Sequence, residues 1–200
     1  MEREILMTGI GGQGIQLTSK ILAEAANREG RNVMHFGVYG GMIRGGPSDC
    51  TIVVSTEEIL APPIVEQAWC LIAMHPGSMP ALLGKIRSGG IVVANSTLVH
   101  ERGPRPDLET IEVPATRIAE EAGRIVGASM VALGAFVEAT GLVSMAAVLE
   151  AMDVSIPAHR RSLLELNRKC LALGEAWIRD NPKISAGTRA WAPAATFGVH

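Results

Sequence analysis

At 200 residues and 48% hydrophobic composition, the chain can bury one good core, so a single domain is the prior. A net charge of −2 leaves no electrostatic footprint for nucleic acid. No apolar run approaches the roughly 18 residues of a membrane span, and Glu2, Arg3 and Glu4 do not open a signal peptide.

The three cysteines, Cys50, Cys70 and Cys170, are scattered and odd in number, with no C-x-x-C. That speaks against an iron–sulfur or zinc site in this chain and for a reducing cytoplasm.

In chain order, residues 4–8 read as a buried strand and residues 15–29 as a helix. Leu17, Ile21, Leu22 and Ala25 share one face of that helix, and Gly30 stops it at the C′ position. Asn32 to Phe36 reads as a second strand, which completes a βαβ unit in about 36 residues. Cys50–Ser55, Trp69–Met74, Gly90–Asn95 and Thr110–Pro114 read as four further strands. Trp69–Met74 is apolar throughout, as a central parallel strand should be. A short helix is expected over Gly77–Ile86 with Ser78 as its cap, and Arg102–Pro106 as a surface loop. Helices then dominate, at about 116–126, 129–140, 144–152 and 158–179. The expected fold is α/β: an open, mostly parallel, doubly wound (Rossmann-like) sheet with a helical C-terminal part. One domain spans 1–180; residues 181–200 carry no period and read as an extended C-terminal tail.

Two glycine clusters punctuate this pattern. Gly9-Ile10-Gly11-Gly12-Gln13-Gly14 lies where the first strand hands over to the first helix. Tyr39-Gly40-Gly41-Met42-Ile43-Arg44-Gly45-Gly46-Pro47 follows the second strand. In an open α/β sheet both places fall on the ligand-binding edge. Backbone N–H groups at the helix start favour an anion there, although a G-x-G-x-x-G spacing alone is equally a tight turn. NAD and flavin dinucleotides want a carboxylate near the end of the second strand, where His35, Phe36 and Gly37 stand. A P-loop wants Lys after its last glycine, where Ile15 stands.

Each candidate residue has two readings. Arg44 is a fork for a phosphate or carboxylate, or a salt bridge to a partner subunit. Tyr39 contacts a ligand or walls the loop. Gln13 meets a ligand or partner, or hydrogen-bonds the turn. His75 is an acid–base group or a surface histidine ordered by Pro76. Asn95 and Ser96 end the fifth strand on the same edge, with Ser96 better read as a cap than as a nucleophile. Cys50 reads as packing rather than a redox thiol.

Together these residues resemble the gamma subunit of the 2-oxoacid:acceptor (ferredoxin) oxidoreductases. The resemblance rests on Gly9–Gly14 with its Ala/Leu-rich helix, and on Tyr39-Gly40 with Arg44-Gly45-Gly46 before a strand near Cys50. It continues at Gly127–Ala135, at Glu165–Asn167 and at Ala172–Gly174, spanning roughly residues 3–176. Ser129 stands where the family tends to have Asn, and Met42-Ile43 where Glu-Met is usual.

The resemblance implies a helper subunit in the oxidative decarboxylation of a 2-oxoacid to acyl-CoA. Gly11, Gly12, Gln13, Gly14, Tyr39, Gly40, Arg44, Gly45 and Gly46 would form the edge that receives coenzyme A. No Gly-Asp-Gly stretch is present, so thiamine diphosphate, magnesium and iron–sulfur clusters would lie on partner subunits. Those partners would be the alpha and beta subunits and, where there is one, a ferredoxin-like delta subunit, passing electrons to ferredoxin or another acceptor. The isolated chain would be inactive and bind no cofactor by itself. Alternatives are the small subunit of indolepyruvate oxidoreductase, a free-standing nucleotide-binding Rossmann oxidoreductase, and a pure scaffold.

Overall fold

The computed structural model describes residues 1–39, 46–60, 65–77, 79–100, 105–181 and 189–191, with Val38, Tyr39 and Arg160 described by their backbone alone. Its centre is a six-stranded sheet in the order β2-β3-β1-β4-β5-β6. The strands are β1 (Glu2–Ile10), β2 (Asn32–Tyr39), β3 (Pro47–Ser55), β4 (Ala68–Ala73), β5 (Ile86–Asn95) and β6 (Glu109–Val113). β1, β4, β5 and β6 run parallel. β3 lies antiparallel between β1 and β2. β4 is buried at every residue, which suits a strand covered on both faces.

Helix α1 (Ile15–Arg28) follows β1. It ends as expected, with Gly30 at φ +73° and the Arg31 N–H bonded to the Ala26 carbonyl at 3.1 Å. β2 is then parallel in direction to β1 but two strands away, because β3 folds back into the gap. The expected βαβ unit therefore exists with an antiparallel strand inserted, and three of the five pairings remain parallel.

The two faces of the sheet are covered unequally. One carries α1, α3 (Ala115–Glu121), α4 (Ala128–Thr140), α5 (Met145–Ser155) and α6 (Leu164–Arg179) over the main core. The other carries a smaller cluster under α2 (Met79–Leu83), including Leu6, Leu71, Val92 and Val99. α4 is the central helix, buried on nearly its whole circumference, and Phe136 packs edge-on against Trp69 at 6.2 Å.

Several boundaries move for physical reasons. α2 is shorter than expected, because Ile86 already opens β5; Ser78 lies outside the described residues. α3 stops at Glu121, since Gly123 turns the chain at φ +122°, and a single 3₁₀ turn at Ile125–Gly127 precedes α4. The last helical region splits into a 3₁₀ segment at Ala158–Leu163, after Pro157, and α6. Ser144 caps α5 by accepting the Ala147 N–H at 3.2 Å.

Of the expected tail, residues 182–188 and 192–200 lie outside the described residues, while 189–191 pack against the C-terminal end of α4 and the start of β1. The Ala190 N–H donates to the Thr140 carbonyl at 2.8 Å, and Arg3 Nε donates to the Ala190 carbonyl. Trp191 Nε1 donates to the Leu142 carbonyl at 3.0 Å, and the Arg31 guanidinium lies 4.4 Å from the Trp191 ring centroid. Truncation after Asn181 should therefore cost about 2 kcal/mol, from a cation–π contact and the lost hydrogen bonds. In a thermal melt that reads as a fall of roughly 4–8 °C. An unchanged melting temperature would show that the anchor carries no energy.

Candidate functional site

The C-terminal ends of β1, β2, β4, β5 and β6 share one edge of the sheet. There Ile10 pairs with Pro47, and the Gly11 N–H donates to the Gly46 carbonyl at 2.8 Å. The two glycine clusters thus meet in space. Gly12 and Gly14 adopt φ +103° and +79°, which side chains rarely tolerate. Gly14 is the N-cap of α1, and no side chain caps it among the described residues. The first N–H groups of α1 therefore face the edge with the positive end of the helix dipole behind them.

Gln13 fastens this turn. Its Oε1 accepts the Ile10 N–H at 2.9 Å, and its Nε2 donates to the Met74 carbonyl at 3.2 Å. Both ends of the amide are committed to the protein, so the turn-bonding reading accounts for this side chain. Gly9 is required here too: a Cβ would sit 2.6 Å from Gln13 Oε1. Of the second cluster, Gly40, Arg44 and Gly45 lie outside the described residues, and Tyr39 is placed by its backbone at the end of β2.

Of the polar groups on this edge, Thr8, Gln16 and Asp49 drew no site reading from the sequence, and Ser129 was marked only as a departure from the family pattern. Thr8 Oγ1 donates to Asp49 Oδ1 at 2.6 Å, across the β1–β3 pair. Gln16 Nε2 reaches the Asp49 carbonyl at 3.3 Å over Gly37, where a Cβ would lie 2.2 Å from Gln16 Oε1. The Ser129 hydroxyl at the start of α4 is buried without a hydrogen-bond partner among the described residues, and would lie 2.9 Å from a Cβ on Gly14. Only Gly37, a glycine inside a strand, signalled such a close approach.

His35 Nε2 lies 2.9 Å from Ser19 Oγ. Burial, and then the Lys20 ammonium, lower its pKa, so the ring is neutral at pH 7 and adds no cation to the edge. His75 Nδ1 accepts the Gly77 N–H at 3.1 Å, so the ring is tied to its own turn. Burial pushes the Cys50 thiol up, opposed by a Ser19 hydrogen bond, which suits packing rather than redox chemistry.

β2 also bears on dinucleotide binding. It runs to Tyr39, further than the sequence suggested, and still ends without a carboxylate. With β3 interposed, its end stands two strand spacings from the turn, roughly 10 Å. A ribose-holding group there could not serve a ligand seated on Gly11–Gly14 as in a Rossmann fold.

Residues 4–177 match the family described as pyruvate ferredoxin/flavodoxin oxidoreductase. The chain belongs to that family. The 2-oxoglutarate synthase subunit KorC of Methanothermobacter marburgensis is 35% identical over 164 residues, covering 78% of this chain and 88% of that protein. The indolepyruvate oxidoreductase subunit IorB of Archaeoglobus fulgidus is 28% identical over 194 residues, covering 87% and 94%. The crystal structure of the keto/oxoacid ferredoxin oxidoreductase gamma subunit from Geobacter sulfurreducens superimposes with a TM-score of 0.73 at 31% identity, covering 86% of this chain and 95% of that one. The family implied by the Gly9–Gly14 and Tyr39–Gly46 motifs is thus correct, and these relatives are oxidoreductase subunits. No helix among the described residues is long and apolar enough to cross a membrane.

Proposed function

We propose that this chain is the gamma subunit of a thiamine-diphosphate-dependent 2-oxoacid:ferredoxin oxidoreductase, and that its glycine edge receives the diphosphate end of coenzyme A. The complex converts a 2-oxoacid and coenzyme A to acyl-CoA and carbon dioxide, passing the released electron pair to the acceptor. Alpha and beta subunits, with delta where present, carry thiamine diphosphate, magnesium and clusters in the cytoplasm. The chain's own part is to bind and orient the thiol donor and to exclude water from the edge. The acid itself is selected on partner chains.

The observation that carries this reading is the N-terminus of α1 behind Gly14, which no side chain caps among the described residues. Unpaired N–H groups and the helix dipole suit an anion, and coenzyme A needs no ribose carboxylate at the end of β2. The chain alone should show no turnover and should restore activity when added to the cognate larger subunits. In that complex, coenzyme A should slow hydrogen exchange of the Gly11–Leu17 amides. Turnover by the isolated chain would overturn the subunit role, and unaltered exchange with bound coenzyme A would overturn the site.

A further inference from the structure

A turn with glycine at 11, 12 and 14 is costly to order, so something rigid must hold it. The Met74 carbonyl, just beyond β4, is that anchor. The Met74 N–H continues the β1–β4 ladder by donating to the Thr8 carbonyl at 2.8 Å. Its carbonyl accepts Gln13 Nε2 at 3.2 Å from one side and Asn95 Nδ2 at 3.3 Å from the other.

Asn95 is the last residue of β5 and is 1% exposed. Its Nδ2 also donates to Thr116 Oγ1 at 2.8 Å, and its Oδ1 accepts the Thr116 N–H at 3.1 Å. It thereby caps α3 from another strand, where Pro114 provides no side-chain cap. A continuous hydrogen-bonded line runs Ile10–Gln13–Met74–Asn95–Thr116 across the parallel half of the sheet.

We propose that Asn95 is a positioning residue for the glycine turn, acting through the Met74 carbonyl and Gln13. Its effect on the reaction rests on the coenzyme A reading above. Asn95 fixes the orientation of that carbonyl, the carbonyl fixes the Gln13 amide, and Gln13 holds the turn whose N–H groups meet the ligand. A purely structural asparagine would lower global stability and leave the turn as it was.

The test uses the assembled complex carrying Asn95→Asp, which keeps the shape and the acceptor for Thr116 but loses both donors. Asn95→Ala, which buries no charge, serves if the aspartate variant does not assemble. Hydrogen exchange of Gly11–Leu17 should speed up about three- to tenfold, the ratio for one lost hydrogen bond, with α4 and α6 unchanged. The apparent KM for coenzyme A should rise by a similar factor with kcat nearly constant. Thr116→Val, which leaves the Asn95–Met74 bond in place, should alter neither. Unchanged exchange at the turn would overturn the proposal. Faster exchange with normal KM, while Arg44→Ala does raise KM, would overturn the positioning role in the reaction. If neither variant moves KM, the coenzyme A reading fails, and faster exchange alone upholds the mechanical link.

Discussion

Gly134→Ala and Gly174→Ala should each destabilise the chain by about 3 kcal/mol, the upper part of the range for overpacking. These glycines face each other where α4 crosses α6. A Cβ on Gly134 would lie 2.0 Å from the Leu171 carbonyl oxygen, and one on Gly174 would lie 1.9 Å from that of Val131. The obstacle is helix backbone, which cannot rotate aside, so the helices must separate. Separation opens gaps along a contact that includes Val131, Ala135, Cys170 and Leu171, all buried. In a chain of this size the loss reads as a fall of roughly 6–12 °C in melting temperature. The double variant should cost clearly less than the sum, because one separation relieves both clashes. Gly84→Ala, with open space around its Cβ, is the control and should stay within about 0.5 kcal/mol. A loss below about 1 kcal/mol at both crossing positions would mean that the helices sit further apart than the structure places them.

The same pair shows how far the sequence could be read. Gly134 and Gly174 lie in stretches that carried the family resemblance, yet their work is visible only once the two helices cross. Strands β1, β4 and β5 were legible because uninterrupted apolar runs such as Trp69–Met74 have few other homes. The direction of β3 was not read, since a pattern such as Thr51–Ser55 is the same run either way. The spacing gave no warning either: the strands expected from sequence leave residues 37–49 between them, enough for a parallel crossover, and only the longer observed strands shrink the gap to residues 40–46. Asn95 was recognised as the end of a strand, but its capping of α3 depends on β5 and β6 lying side by side. Polar links between distant segments, such as Asn95–Thr116 and Gln13–Met74, have no sequence period to reveal them.

Arg44→Ala should raise the apparent KM for coenzyme A roughly ten- to a hundredfold and leave subunit assembly intact. The residue lies in the sequence between β2 and Gly46, and the Gly46 carbonyl is bonded to the Gly11 N–H at 2.8 Å. Gly46 therefore stands beside the turn that is proposed to meet the diphosphate. A hydrogen bond to a charged group is worth about 1.5–3 kcal/mol, and about 1.4 kcal/mol is one decade in affinity. His35 is neutral at pH 7 and is no substitute cation, so the loss should not be compensated from β2. Decarboxylation of the acid before coenzyme A arrives should be nearly unchanged, because the proposed function assigns that half-reaction to other chains. A scaffold role predicts the reverse, with poor complex yield and normal coenzyme A kinetics in whatever assembles. Arg44→Lys separates the cases further: lysine keeps the charge but loses the planar fork, so a bidentate diphosphate contact returns only in part. Normal assembly together with normal coenzyme A saturation in Arg44→Ala would reduce the loop to a surface turn.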